Sequence, residues 1–342
     1  MIRKPFIDAV HHAQSERRRL VAPLIGFPGL SMTGGNIKLA QQNFGEHYKS
    51  VKALAETFQP DLIFPLMDLS VEANALGRYT VFPREESATV VIKGTFSQDD
   101  LAAAQDIKIS FDTRLLGYVE MLKLMSIGLP PPVMRGAYVT GPYSLAGLLL
   151  GADEAATATA MRPDELAAVC LFATEKILEY VRLLIAAGAQ VICVLEPTAV
   201  MLGPGQFEEF SARYVRAITD SCRYAGVATV YHTCGNTMHI IKKMGESGVD
   251  GVSIDSREVG VDIAKAATMV PPEVMVIGNL SPTGTILNGR PAEVEQEVTD
   301  LLRLMDPYPN FILSTGCDLP QETPLENIHA FMRAGRRYKI RH

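Results

Sequence analysis

Three residues of this 342-residue chain have the types and spacing for metal chemistry: His232, Cys234 and Cys317. Each follows a short apolar run that reads as a β-strand, 227–231 for the first two and 311–315 for the third. Positions i and i+2 of a strand share a face, so His232 and Cys234 point into one space. A soft ligand from another strand completes a set of one imidazole and two thiolates. That set suits Zn2+, with a fourth position left for water or substrate. It describes a catalytic site rather than a sealed structural one. The competing reading makes each Cys a small buried hydrophobe. Cys170, Cys193 and Cys222 lie among apolar or helical residues without ligand-like spacing, and they are read as core.

These residues need a scaffold. Eight short apolar segments recur, at 20–25, 62–67, 134–139, 191–195, 227–231, 251–254, 274–277 and 311–314. Amphipathic runs at 164–187, 206–224, 238–247, 291–305 and 324–338 lie between or after them, with apolar residues spaced at three and four. Strands alternating with helices predict a parallel sheet. Eight such units predict an α/β fold of the (β/α)8 TIM-barrel type, one domain spanning 1–342. Two parts are extra: an N-terminal helical extension over 1–19 and an insertion after the second strand, 76–132. The insertion carries a strand-like stretch at 89–93, a helix near 112–125 and a stop at Leu129-Pro130-Pro131-Pro132. It is expected to cover the barrel mouth, or else to be a peripheral elaboration.

Barrel enzymes carry their chemistry at the C-terminal ends of the strands. Besides the triad, the polar residues expected there are Asp68, Tyr143, Glu196, Asp255 and Asn279. Glu196 and Asp255 are candidates for proton handling or substrate orientation, and one of them for the fourth metal position. Asp68, Tyr143 and Asn279 are candidates for substrate binding. Each has a plainer alternative. The carboxylates can cap the helices that follow them, Asn279 can form a turn, and Tyr143 can be core.

Composition narrows the partners. The chain is 47% hydrophobic and 20% charged, which suits a large globular core. A formal charge of −6 without a Lys/Arg run gives no drive toward nucleic acid or an anionic membrane. No signal-peptide core follows the first residues, and no stretch is long enough for a membrane span. Five scattered cysteines argue against a disulfide framework and for a reducing, cytoplasmic setting.

Four further stretches carry a resemblance. They are Gly141-Pro142-Tyr143-Ser144-Leu145, Glu196-Pro197-Thr198 with Leu202-Gly203-Pro204-Gly205-Gln206-Phe207, Gly278-Asn279-Leu280-Ser281-Pro282, and Thr323-Pro324-Leu325-Glu326-Asn327-Ile328. Across nearly the whole chain the pattern resembles the uroporphyrinogen decarboxylase superfamily, which implies a (β/α)8 barrel. Its decarboxylases have an arginine-rich N-terminal segment that binds substrate carboxylates. The corresponding stretch here, Leu24-Ile25-Gly26-Phe27-Pro28-Gly29-Leu30, has no arginine, and Arg17, Arg18 and Arg19 precede the strand. Asp68 does match the decarboxylase aspartate. The second branch, the cobalamin-dependent methyltransferases of the methylcobalamin:coenzyme M type, carries His-x-Cys and a distant Cys, which His232, Cys234 and Cys317 match. That resemblance implies methyl transfer between a corrinoid and a small molecule. Zinc would activate a thiol acceptor or the leaving atom of a methyl donor. No Asp-x-His-x-x-Gly pattern for holding cobalamin occurs, so a separate corrinoid-binding protein is the expected partner. A metal-free tetrapyrrole decarboxylase is the enzymatic alternative, and a non-catalytic tetrapyrrole binder is another.

Overall fold

The computed structural model describes residues 4–92 and 96–341. In chain order the strands are β1 (Leu62–Ile63), β2 (Thr80–Val81), β3 (Thr89–Val90), β4 (Met134–Thr140), β5 (Val191–Leu195), β6 (Ala228–Thr233), β7 (Gly251–Ile254), β8 (Met275–Leu280) and β9 (Phe311–Thr315). Seven of them form a parallel sheet in the order β1-β4-β5-β6-β7-β8-β9. Spatial order follows chain order, as helical crossovers in a barrel require.

The segment 20–24 fills the gap between β9 and β1. Val21 forms a parallel bridge to Leu313, and Ala22 N donates to Leu313 O. On the other side Asp61 N donates to Val21 O. The first expected strand is therefore the stave that closes the barrel, but its ladder is only one bridge long. Pro23 has no N–H to offer, and Leu24 N turns instead to the Thr315 hydroxyl. Pro65 likewise follows the end of β1, so the 62–67 run pairs only over its first two residues.

The helices 163–186, 291–305 and 325–337 match their expected runs within one residue at each end. The run 206–224 is interrupted by a π-helical turn, Glu208–Ala212, and the run 238–247 shortens to Ile241–Glu246. The N-terminal helix Pro5–Ser15 buries Phe6, Val10 and Ala13. They pack in one cluster with Leu20, Leu62, Met134, Val191 and Ala228, early residues of the staves. The helix thus plugs the N-terminal end of the barrel, where Lys4 pairs with Asp250 at 2.7 Å just ahead of β7.

The region 76–132 divides in two. Helix Thr113–Gly128 packs against β4 and against helices Phe44–Phe58 and Pro163–Ala186, as a crossover helix of the barrel wall does. Its six buried side chains, among them Leu115, Leu122 and Met125, join the outer core. The additions proper are the β2–β3 hairpin and helix Gln98–Gln105. The extra strand is Thr89–Val90; Lys93, also expected in it, lies outside the described residues. Among the described residues no helix is long and apolar enough to cross a membrane.

Candidate metal centre

β6 ends in His232-Thr233 and β9 leads into Gly316-Cys317. Counting the closing segment as the first stave, β6 is the fifth and β9 the eighth. Their side chains therefore meet across the barrel rather than along one wall. His232 Nε2 lies 3.3 Å from Cys234 Sγ and 3.9 Å from Cys317 Sγ, and the two sulfurs are 3.6 Å apart. A tetrahedron with Zn–S of about 2.3 Å and Zn–N of about 2.0 Å has S···S edges of about 3.8 Å and N···S edges of about 3.5 Å. The three donor atoms thus already form one face of such a tetrahedron. They are also the group of close His, Cys, Asp or Glu donors found among the described residues.

The surrounding sequence holds each donor. β6 pairs with β7 so that His232 faces Ser253 in register. The Ser253 hydroxyl lies 3.0 Å from His232 Nδ1, which orients the ring and leaves Nε2 for the cluster. Such a partner commonly fixes a metal-binding imidazole. Gly235 follows Cys234 with φ of +84°, a turn that glycine makes at no steric cost. Its N–H donates to Asp255 Oδ2 at 2.8 Å, and the other Asp255 oxygen accepts from Ser256 N at 2.6 Å. On the Cys317 side, Gly316 runs against the backbone of Asp255 and Ser256. A Cβ there would sit 2.7 Å from Ser256 N. Asp318 then accepts from Gly26 N at 2.9 Å and Met67 N at 3.3 Å. Asp255 and Asp318 therefore pin the two cysteine loops.

Without a cation the triad is electrostatically awkward. Contact with Cys234, then burial, pushes the Cys317 thiol well above its ordinary value. Two thiolates at this separation repel, and a divalent cation between them reverses the balance. His232 is 1% exposed, while both cysteines are half-buried and reach the solvent side. The remaining cysteines, Cys170, Cys193 and Cys222, are buried in the core as expected.

The other candidates sit apart from the donors. Glu196 is fully buried and accepts from Tyr143 N at 3.0 Å, Ser144 N at 2.7 Å and the Ser211 hydroxyl at 2.8 Å. Burial raises its pKa, and those bonds oppose the shift. The carboxylate caps helix Pro142–Leu150, which lies before it in the chain, rather than the helix that follows. Ser211 reaches it from the π turn. Tyr143 is buried, with a hydroxyl that has no hydrogen-bond partner among the described residues. Asp68 is paired with Arg114, and accepts from the Tyr118 hydroxyl at 2.6 Å and from Ser70 N at 2.9 Å. Asn279 lies within β8, not in a turn, and donates to Asp255 O at 2.9 Å. It supports the loop that holds Cys234.

Arg17, Arg18 and Arg19 are committed at the opposite end. They bind Ile340 O, Asp61 and the 305–309 carbonyls respectively. Sequence alone gave no role to Ser253, Gly316 or Asp318. Ser253 had a faint signal as the hydroxyl in an otherwise apolar strand. Gly316 and Asp318 flank Cys317 and had no visible partners until Asp255 and Gly26 were brought beside them.

The profile of the uroporphyrinogen decarboxylase family matches residues 41–338, and the chain belongs to that family. A methylcobamide:CoM methyltransferase, MtbA, of Methanosarcina acetivorans is 30% identical over 226 residues, 65% of this chain and 63% of that protein. The match thus spans less than two thirds of that relative. A uroporphyrinogen decarboxylase of Prochlorococcus marinus is 25% identical over 290 residues, covering 82% of this chain and 79% of that protein. In three dimensions a methyltransferase from Methanosarcina mazei superposes with a TM-score of 0.84 at 23% identity, over 93% of this chain and 94% of that one. The shared fold is the barrel described above.

Proposed function

We propose that this protein is a zinc-dependent methyltransferase that moves a methyl group between a corrinoid, carried by a partner protein, and a small-molecule substrate. The observation that carries the reading is the donor triad at tetrahedral edge lengths, with a buried His232 and two half-buried cysteines at the C-terminal ends of the barrel strands. The name of the Methanosarcina relative supports it. His232, Cys234 and Cys317 would hold one Zn2+, whose chemistry is to favour deprotonation of a thiol acceptor or to act as a Lewis acid on a donor's leaving atom.

The chain's own residues supply the frame. Ser253 orients His232, Asp255 and Asp318 fix the cysteine loops, and Asn279 holds Asp255. In the thiol-acceptor direction the corrinoid would supply an electrophilic methyl group, which the substrate sulfur, its proton released to solvent, would accept. The β2–β3 hairpin is proposed as part of the mouth. Its Arg84 O and Ala88 N bond to Lys38 and Gln41, which follow the first stave on that side. Reduced thiols in the triad fit a cytoplasmic location.

A decarboxylase reading draws on Asp68 and on the cyanobacterial relative. It draws no support from Arg114, which is spent on Asp68, or from Arg17–Arg19, which are spent at the far end. The deciding measurement is metal content of the purified protein beside a Cys317→Ala variant. About one zinc per chain, falling sharply in the variant, is expected. No zinc, and none taken up under reducing conditions, overturns the proposal.

A further inference from the structure

Cys234 and Cys317 stand 83 positions apart in the chain, yet their sulfurs lie 3.6 Å from each other. The protein itself imposes this approach. The 255–256 segment after β7 touches both cysteine loops: Asp255 accepts from Gly235 N, and Gly316 lies against the Asp255 and Ser256 backbone. Asp318 anchors the far side of the second loop through Gly26 N and Met67 N. The two thiols are therefore held face to face by groups other than a metal. They are also the reachable ones. Cys170, Cys193 and Cys222 are at most 3% exposed, whereas Cys234 and Cys317 are half-buried and open to a small solute.

Two thiols in this position are one two-electron oxidation from a disulfide. Its sulfurs sit about 2.05 Å apart, so closure brings the pair together by about 1.5 Å. We propose that Cys234 and Cys317 form a redox switch over the metal centre: a hydroperoxide joins the metal-free pair as a disulfide, and a dithiol reductant reopens it.

The chemistry runs in two steps. One sulfur takes an oxygen from the hydroperoxide; the O–O bond breaks, water leaves when the oxidant is hydrogen peroxide, and a sulfenic acid forms. The other sulfur then attacks the first. An S–S bond replaces the S–O bond, and the displaced oxygen leaves as water with the second thiol's proton. Each sulfur gives up one electron and the peroxide takes two. A dithiol reverses the change by exchange and becomes the disulfide itself. Disulfide and metal exclude each other, because the metal takes each sulfur as a thiolate and the oxidised pair has none to give. Oxidation thus disarms the centre, and bound metal shields it. What the switch controls rests on the metal-site reading above; the disulfide rests on the sulfur geometry.

The test uses the whole wild-type chain, so no variant has to fold. Reduced protein is stripped with a chelator, divided into portions with and without added Zn2+, and treated with hydrogen peroxide. After the peroxide is removed, the remaining thiols are alkylated in denaturant and counted by mass. The metal-free portion should lose two of its five thiols, keep three, and yield a peptide linked through Cys234 and Cys317. Dithiothreitol should restore all five thiols and the capacity for zinc. The zinc-loaded portion should oxidise about ten-fold or more slowly, since only its metal-free fraction reacts. Five surviving thiols in the metal-free portion, a sulfinic acid in place of the link, or a link to another cysteine overturns the switch. So does equal oxidation of a portion shown to hold zinc. Reduced protein that takes up no zinc overturns the metal reading of the site, whereas a missing link in protein that does take it up overturns this inference alone.

Discussion

His232 shows how much one partner decides. Its Nδ1 has Ser253 Oγ at 3.0 Å, a contact that leaves Nε2 facing the cysteines. Ser253→Ala should lower zinc affinity about ten- to a hundred-fold, the usual effect of losing such support. Competition with a chelator measures it, and an unchanged affinity refutes the orienting role. Glu196 poses the opposite question. Its carboxylate accepts from two backbone amides and a hydroxyl in a fully buried site. Glu196→Gln turns one acceptor into a donor facing those groups. Stability should fall by about 2 kcal/mol or more, with zinc content kept. An unchanged melting temperature with lost activity would instead make Glu196 the proton-handling group.

Loops are the elements that assemble this centre. The Cys234 and Cys317 loops come from staves separated by β7 and β8, and they touch because Gly316 lies flat on the Asp255–Ser256 backbone. Gly316→Ala places a methyl 2.7 Å from Ser256 N, an overpacking that costs about 1–3 kcal/mol. The larger consequence is geometric, because Cys317 is displaced from the other two donors. Zinc stoichiometry in Gly316→Ala should fall well below one, although all three ligands remain. Full occupancy in a folded variant shows that the loop adapts. The π turn over Glu208–Ala212 has a similar role, since it delivers Ser211 to Glu196.

Whole-molecule stability carries two buried titrating groups near the β1 end of the barrel. His47 accepts from Leu66 N at 2.9 Å, and burial pushes its pKa down to about 4 from an ordinary 6.5. It is neutral in the fold, so its contribution is present above pH 6.5 and is lost as pH falls toward 4. The loss is on the order of 3 kcal/mol. Burial lifts Glu72 to about 7 from 4.5. Its contribution is present below pH 4.5 and is lost as pH rises toward 7. Buried Asp318, lifted to about 7 from 3.8, slopes the same way as Glu72, so the two carboxylates outweigh His47 and these groups make stability fall as pH rises over this window. Relative to wild type, His47→Gln should make stability fall more steeply as pH rises over this window, and Glu72→Gln should flatten that fall. Urea denaturation at several pH values between 4.5 and 7 reads both; parallel profiles in all three proteins refute the account.

The alternation of apolar strands and amphipathic helices determined the barrel, because burial in a parallel sheet demands long apolar runs and helical cover. The clustering of His232, Cys234 and Cys317 was legible too. His232 and Cys234 share a strand-end face by local geometry, and soft donor chemistry resides in the residue types. Proline chemistry at Pro23 and Pro65 shortened two staves that hydrophobicity alone had drawn longer. The carboxylates show where local reading ends. Nothing near Glu196 in sequence reveals that it caps a helix fifty residues earlier, or near Asp255 that it holds the loop of Cys234. The pairing of Asp68 with Arg114 is likewise a product of the closed barrel. Residue type declares what a group can do, whereas its partners are set by which staves the closed sheet brings face to face.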